Sequence, residues 1–247
     1  MRLCLCYHAV SPSWPAPLSV TPGALRSQLS ELVGRGFRGV TFTELVRATG
    51  GEKLLAVTFD DSYRSVGALA RPILDELALP GTVFVPTAFA DREVPMAWPG
   101  IDQWLSSEHR DELIPMSWGE LAGLADAGWE IGSHTRTHPK LTRVSDDELA
   151  AELSGSKQDL ERALGRPCTS LAYPYGDHDD RVVAAADRAG YDTAGTLPKG
   201  FGGASALRWP RVGVYHADDS RRFGLKVSPA ILALRRTPLW KVMPGGG

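Results

Sequence analysis

The sequence lacks the features that define several classes of protein. Its 247 residues include only three cysteines, and so small and odd a number argues against a framework of disulfide bonds. No run of apolar residues approaches the ~18 that a membrane-spanning helix requires. The formal net charge of −2 provides no bulk attraction for a polyanion, so a nucleic-acid partner is not indicated. With 43% hydrophobic and 23% charged residues, the composition is that of an ordinary globular protein.

The amino terminus shows no pattern typical of a secretory leader. The opening stretch, "MRLCLCYHAV", has a short apolar run and no cleavage pattern, which leads us to expect a cytoplasmic protein. Cys4 and Cys6 lie two apart on a predicted strand, so both side chains should point to one face of it as small apolar fillers.

Short apolar runs alternate with helical patterns along most of the chain. Two of the helices begin with a capping box, Ser117 with Glu120 and Ser145 with Glu148. Regular alternation of this kind predicts an α/β fold with a parallel sheet, either open or closed into a barrel. The predicted strands are "RLCLCYH", "LLAVTF", "GTVFVP", "GWEIGSH", "CTSLAYP", "YDTAGTL" and "RVGVYH".

Two segments depart from this alternation. The connection from Pro86 to Pro115 is too long for a turn, and it is equally well explained as a lid or substrate wall and as an insertion packed on the surface. The chain beyond His216 is basic and could contact a membrane surface or a partner, although a docked helix with a solvated basic face is the favoured interpretation. We therefore expect a catalytic domain over residues 1–220 and a basic carboxy-terminal helix or tail over residues 221–247. The basic residues of this tail are Arg221, Arg222, Lys226, Arg235, Arg236 and Lys241.

Residues whose side chains could take part in catalysis or metal binding follow several of the predicted strands. Ligands of parallel α/β folds bind at the carboxyl ends of the strands, where the loops converge. A single histidine beside a strand is usually structural, but residues of this kind after five different strands are difficult to assign to packing. They are His8, Asp60 with Asp61, His134, Tyr173 to Tyr175, and His216.

The segment "GSHTRTHP" places His134 and His138 four residues apart, on one helical turn or in a tight loop. Two imidazoles and one carboxylate form a His₂Asp set, which suits a divalent cation and leaves coordination positions open for water and substrate. The helical metalloprotease pattern does not apply, because the residues between the histidines include no glutamate. Zinc is the expected ion, although such a set also accepts cobalt, nickel or manganese.

The adjacent carboxylates of "LAVTFDDSY", Asp60 and Asp61, repel each other and require an explanation. One of them can bind the cation, which offsets the repulsion. The other can take a proton from a water molecule that the cation has made acidic. Base and ligand must be close but distinct, and adjacency in the sequence achieves this.

Three motifs, "TFDD", "SHTRTHP" and "AYPYG", resemble in residues and in order those of the polysaccharide deacetylase family, also called the NodB-homology domain or carbohydrate esterase family 4. The opening "CYHAVS" and the later "VTFTEL" are similar to one bacterial branch, so the resemblance extends from about Leu3 to His216. It implies a distorted (β/α) barrel with fewer than eight strands. It also implies metal-dependent removal of an acetyl group from an N-acetylated sugar or glycoconjugate.

The resemblance also implies roles for individual residues. Asp60 matches the general base, Asp61 the carboxylate ligand, and His134 and His138 the other two ligands of the metal. Tyr175 matches the residue whose backbone N–H helps to hold the oxyanion. An oxyanion donor acts on charge that develops in the transition state, and its loss costs ~3 kcal/mol.

The sequence departs from the family pattern at two functional positions. Leu171 stands where many members have an arginine that orients the base, and Arg211 of "WPRVGV" is a candidate to supply that guanidinium from another strand. The late motif that provides the general acid is indistinct, with His216 nearest to it in order and His8 as the competitor. An imidazolium suits this role because its pKa lies near the working pH. Of the two, His216 is slightly favoured.

Three interpretations of the function remain open. The leading one is the N-deacetylase, with Trp98, Trp104 and Trp118 as candidate stacking faces for a sugar ring. The second keeps the metal and hydrolyses another C–N bond, such as a cyclic amide or ureide. The third is a catalytically silent carbohydrate-binding domain, which predicts loss of the base or of a ligand, whereas all of these residues are present.

Overall fold

The computed structural model describes residues 1–198, 201 and 203–237, in which strands and helices alternate along the chain. The strands are β1 (Arg2–Tyr7), β2 (Ala9–Val10), β3 (Ser19–Val20), β4 (Arg38–Gly39), β5 (Leu54–Phe59), β6 (Gly81–Val85), β7 (Glu130–Ser133), β8 (Ser170–Ala172), β9 (Thr193–Thr196), β10 (Trp209–Pro210) and β11 (Val212–Gly213). The α-helices are α1 (Pro22–Gly34), α2 (Phe42–Arg47), α3 (Arg71–Glu76), α4 (Trp118–Asp126), α5 (Asp146–Leu164), α6 (Asp180–Arg188), α7 (Ser220–Lys226) and α8 (Pro229–Leu234). Single 3₁₀ turns occupy Asp102–Trp104, Arg110–Leu113, Leu141–Arg143, Pro174–Gly176 and Ala206–Arg208.

The main sheet is parallel and almost closes on itself. Its strand order is β10-β9-β8-β7-β6-β5-β1-β11, with β4 added beside the start of β5. Only Arg211 separates β10 from β11, so residues 209–213 pair with β9 at one end and with β1 at the other. When this segment is counted as one position, the barrel has seven positions. The prediction of a distorted barrel with fewer than eight strands is therefore confirmed.

The two faces of β1 contribute side chains to two different buried clusters. Leu3, Leu5 and Tyr7 of β1 pack in the large core between the sheet and the helices. Cys4, which lies between them in the sequence, belongs to a second and smaller buried cluster. All three cysteines of the sequence fall within the described residues and are buried free thiols. Cys4 and Cys6 therefore occupy the opposite face of β1 from its leucines, as their spacing predicts.

Local signals explain where several helices begin. The capping boxes at Ser117 and Ser145 are both formed, at the starts of α4 and α5. Near Pro72 the helical structure after β5 changes from a π-helical turn, Val66–Ala70, to α3. Pro72 thereby lies in the first turn of α3, at its junction with the π-helical turn.

The predicted carboxy-terminal segment is described only as far as residue 237, and Lys241 lies outside the described residues. In the part that is described, α7 and α8 bury Phe223 and Leu232 against the barrel. None of the described helices is long and apolar enough to cross a bilayer.

Candidate active site

Three predicted metal ligands meet above the carboxyl ends of β5 and β7. The Oδ1 atom of Asp61 lies 3.4 Å from Nε2 of His134 and 3.4 Å from Nε2 of His138. All three side chains are buried, and this oxygen has no hydrogen-bond partner among the described residues. Metal–ligand bonds of about 2.0–2.1 Å in a tetrahedral arrangement place neighbouring ligand atoms about 3.4 Å apart. The three atoms are therefore spaced as ligands of one ion would be.

The backbone adopts left-handed conformations to bring these ligands together. Asp61 has φ 68°, Thr135 has φ 66° and His138 has φ 62°. Left-handed conformations of non-glycine residues cost of order 1–3 kcal/mol each and persist where the surrounding structure enforces them. The two histidines converge through a tight loop after β7 rather than through a helical turn, which decides between the two geometries that their spacing allows.

The two imidazoles have different protonation environments. Nδ1 of His134 lies 2.8 Å from the carbonyl oxygen of Ala172, a contact that leaves Nε2 free to bind an ion. Burial opposes a charge on His134, but the carboxylates of Asp60 and Asp61 raise its pKa above the ordinary value. Burial lowers the pKa of His138 to about 3, so this ring is neutral at physiological pH, as metal ligation requires.

The Asp60 side chain does not join Asp61 and the two imidazoles. It forms an ion pair with Arg211 instead. The guanidinium donates from both terminal nitrogens to the two carboxylate oxygens, at 2.7 and 2.8 Å, and also to Thr58 Oγ1 at 3.0 Å. Arg211 is 0% exposed. Burial favours the neutral acid, but Arg211 holds the pKa of Asp60 well below its ordinary range. The Cys6 thiol lies 3.3 Å from Oδ2 of the same carboxylate.

The barrel interior has room for Arg211 because of a glycine on β9. A Cβ atom at Gly195 would lie 2.7 Å from Nε of Arg211. Leu171, at the position where many family members have the arginine, is buried in β8 and packs in the outer core rather than inside the barrel.

The two candidates for the general acid occupy different places. A ring nitrogen of His8 lies within 4.8 Å of both the Asp60 carboxylate and the Cys6 sulfur, and its ring stacks on Tyr215 with centroids 6.5 Å apart. His216 is exposed, with Nδ1 3.3 Å from the carbonyl oxygen of Ser19. Its backbone N–H donates to the carbonyl of Pro17. The structure thus brings His8 to Asp60, while the described contacts of His216 lead away from it, against the slight preference from the sequence.

Tyr175 lies beside the ligands. It has φ 57°, and its ring meets that of His138 edge-on with centroids 4.6 Å apart. The Tyr175 hydroxyl donates to the carbonyl of Pro99, in the long connection between β6 and α4. Trp98 of the same connection stacks on His138 with centroids 4.3 Å apart, a contact that no sequence pattern indicates.

The family model named "Polysaccharide deacetylase" matches residues 47–194, which is more than half of the chain and includes Asp60, Asp61, His134, His138 and Tyr175. The chain belongs to the polysaccharide deacetylase family.

Individual members of the family are distant from this chain. YxkH of Bacillus subtilis, whose name assigns it provisionally to the polysaccharide deacetylases, is 24% identical over 201 residues, which are 79% of this chain and 64% of that protein. The poly-β-1,6-N-acetyl-D-glucosamine N-deacetylase of Staphylococcus aureus is 23% identical over 185 residues, 70% of this chain and 59% of that protein. The chain therefore spans less than two thirds of the length of either relative.

Solved structures of the family share the fold. The deacetylase PplD of Streptococcus pyogenes, solved in complex with acetate, superposes with a TM-score of 0.77 and 23% identity. The superposition covers 93% of this chain and 99% of that one. At this identity, the likeness establishes the barrel and its topology, and the site must be judged from its own residues.

The residues of this family member fit a divalent ion. Oδ1 of Asp61 is buried without a hydrogen-bond partner in the described part of the chain, which is costly unless a cation occupies the space that it faces. Two imidazole nitrogens flank the same oxygen, and N₂O donor sets suit zinc and related divalent ions. A second group, Cys6, His8 and Asp60, is also close enough to share an ion, but Arg211 already neutralises Asp60 there.

Proposed function

We propose that this chain removes the acetyl group from an N-acetylated sugar or glycoconjugate by metal-dependent hydrolysis. The observation that carries the proposal is the pairing of Asp61, His134 and His138 with an adjacent carboxylate, Asp60, that binds Arg211 instead of joining them. This arrangement separates a set of metal ligands from a base. The S. aureus relative, named as a deacetylase of poly-β-1,6-N-acetyl-D-glucosamine, supports an N-acetylated glucosamine as the substrate class.

Asp61, His134 and His138 would hold the ion, with zinc as the proposed metal and cobalt, nickel or manganese as alternatives. When bound, such an ion acts as a Lewis acid on the acyl oxygen and lowers the pKa of a coordinated water. Asp60 accepts the proton of the attacking water. Arg211 keeps that carboxylate ionised and fixes its orientation, so the base is ready at physiological pH.

The remaining steps need an oxyanion donor and an acid. Tyr175 carries the backbone N–H that we assign to the oxyanion, and its ring lies against a ligand of the proposed metal. His8 is the general acid that protonates the departing amine, since it lies beside Asp60 whereas His216 does not. A positioned acid or base typically contributes 10²–10⁴-fold to the rate.

The proposal is tested by measuring zinc content and acetate release from N-acetylglucosamine oligomers for the native chain and three variants. Asp60→Asn should retain zinc and lose acetate release by about 10²–10⁴-fold, because the ligands remain and the base is gone. Asp61→Asn should lose both. Asp126→Asn, which changes an exposed carboxylate that pairs with Arg166, should lose neither. Full activity of Asp60→Asn, or a native protein that binds no divalent metal, would refute the proposal.

A further inference from the structure

The two histidines proposed as metal ligands are held in different ways. A metal-binding histidine usually donates its second ring N–H to a carbonyl, a carboxylate or a water, which fixes the ring orientation. His134 has such a partner, the carbonyl oxygen of Ala172 at 2.8 Å. Nδ1 of His138 is buried and has no hydrogen-bond partner among the described residues. Something else must orient the ring of His138.

Three aromatic rings pack against His138. The indole of Trp98 stacks on it with centroids 4.3 Å apart and planes 27° apart. The rings of Tyr175 and His134 meet it edge-on, at 4.6 and 4.8 Å. Of the three, only Trp98 lies nearly parallel to the imidazole and stacks on it, so we take it as the contact that opposes tilting of the ring.

Trp98 is itself firmly placed. Its side chain is 7% exposed, and Phe89 packs edge-on against it with centroids 5.2 Å apart. Its carbonyl accepts hydrogen bonds from the backbone N–H groups of Ile101 and Asp102. The neighbouring carbonyl of Pro99 accepts the hydroxyl of Tyr175. Residues 98 and 99 therefore contact both a proposed metal ligand and the proposed oxyanion residue.

From these contacts we infer that Trp98 is a positioning residue for metal binding, acting through His138. The inference rests on the proposed metal site at Asp61, His134 and His138. The face of an indole carries negative electrostatic potential, and coordination draws electron density out of the imidazole that it covers. The stack is therefore stronger when an ion is bound, and by linkage the indole raises the affinity for that ion. The long connection between β6 and α4 thus supports the metal site instead of serving as a detached surface insertion.

The test measures metal affinity directly and needs no turnover. Apoprotein is titrated with Zn²⁺ against a chromophoric chelator, and the visible absorption of the Co²⁺-substituted protein reports the ligand geometry. The variants are Trp98→Leu, which removes the ring, and Trp98→Phe, which keeps a stacking face. Trp104→Leu is the matched control, because Trp104 lies on the same connection and contacts Trp14 and His109 instead of a proposed ligand.

We expect Trp98→Leu to bind Zn²⁺ roughly ten-fold more weakly and to change the Co²⁺ spectrum. We expect Trp98→Phe to recover most of the affinity and Trp104→Leu to match the native protein. If Trp98→Leu does not fold, Trp98→Met replaces it as the variant without a ring. Affinity unchanged within two-fold in the ring-free variant, or an equal loss in Trp104→Leu, would overturn the inference while leaving the proposed function intact. Failure of the native apoprotein to bind Zn²⁺ would overturn both.

Discussion

Replacing Arg211 with Met should destabilise the protein in a way that depends on pH. The substitution keeps similar bulk but leaves the Asp60 carboxylate buried without its guanidinium. Removing one partner of a buried ion pair costs about 3–5 kcal/mol in free energy of unfolding, because the remaining charge is uncompensated. Arg211 is 0% exposed and binds both carboxylate oxygens, so solvent screening does not reduce this figure.

The sign of the pH dependence follows from the pKa of Asp60. In the native protein this pKa lies below its ordinary value of 3.8, so the pair stabilises the fold above about pH 4, and this stability is lost as the pH falls. In Arg211→Met, burial acts on Asp60 without the opposing guanidinium and raises its pKa. The destabilisation by the unpaired Asp60 carboxylate is then absent at low pH, where the group is protonated, and grows as the pH rises. Its slope is at most about 1.4 kcal/mol per pH unit.

Urea denaturation at pH 4, 5.5 and 7 measures the loss of stability and its dependence on pH. Chelator is present to exclude effects of bound metal. The difference in free energy of unfolding between the native protein and Arg211→Met should increase from pH 4 to pH 7. Arg166→Met is the control, since Arg166 pairs with Asp126 at the surface and such pairs contribute about 0–1 kcal/mol. A difference that does not change with pH, or one no larger than that of the control, would refute the account of Arg211.

Two further predictions concern the acid and the barrel interior. His8→Gln should lower acetate release by about 10²–10⁴-fold in a kinetic assay, whereas His216→Gln should stay within a few-fold of the native rate. The reverse ranking would return the acid role to His216. Gly195→Ala should cost about 1–3 kcal/mol in thermal or urea unfolding, because its Cβ would approach Arg211 Nε to 2.7 Å. Gly123→Ala in α4 meets no atom within 4 Å and should be neutral or stabilising, so equal losses in the two variants would contradict the packing argument.

The sequence predicted best what depends on neighbouring residues. The capping boxes at Ser117 and Ser145 formed because cap and partner are three residues apart. The convergence of Asp61 with His134 and His138 was also predictable, since parallel strands place their carboxyl ends on one rim. Each of these residues comes one or a few positions after its strand, so strand boundaries alone bring them close.

What the sequence could not decide depends on where the chain turns after a strand. The run "RVGVYH" reads as one strand that delivers His216 to the barrel mouth, but β11 ends at Gly213. The N–H of Tyr215 then binds the carboxylate of Asp218, and the N–H of His216 binds the carbonyl of Pro17 instead of continuing the pairing with β1. His8 follows β1 directly and stays at the mouth. The stacking of Trp98 on His138 joins residues 40 apart through an irregular segment, for which no periodic pattern exists.

The adjacency of Asp60 and Asp61 is tolerable because the two carboxylates face different partners. Asp60 ends its strand pointing into the barrel, where Arg211 reaches it from the last strand segment. The left-handed backbone of Asp61, φ 68°, turns the next side chain toward the two imidazoles instead of alternating back across the sheet. A regular strand would have placed successive side chains on opposite faces and carried Asp61 into the outer core. The strain of that one residue therefore lets two neighbouring acids take part in one site with two different roles.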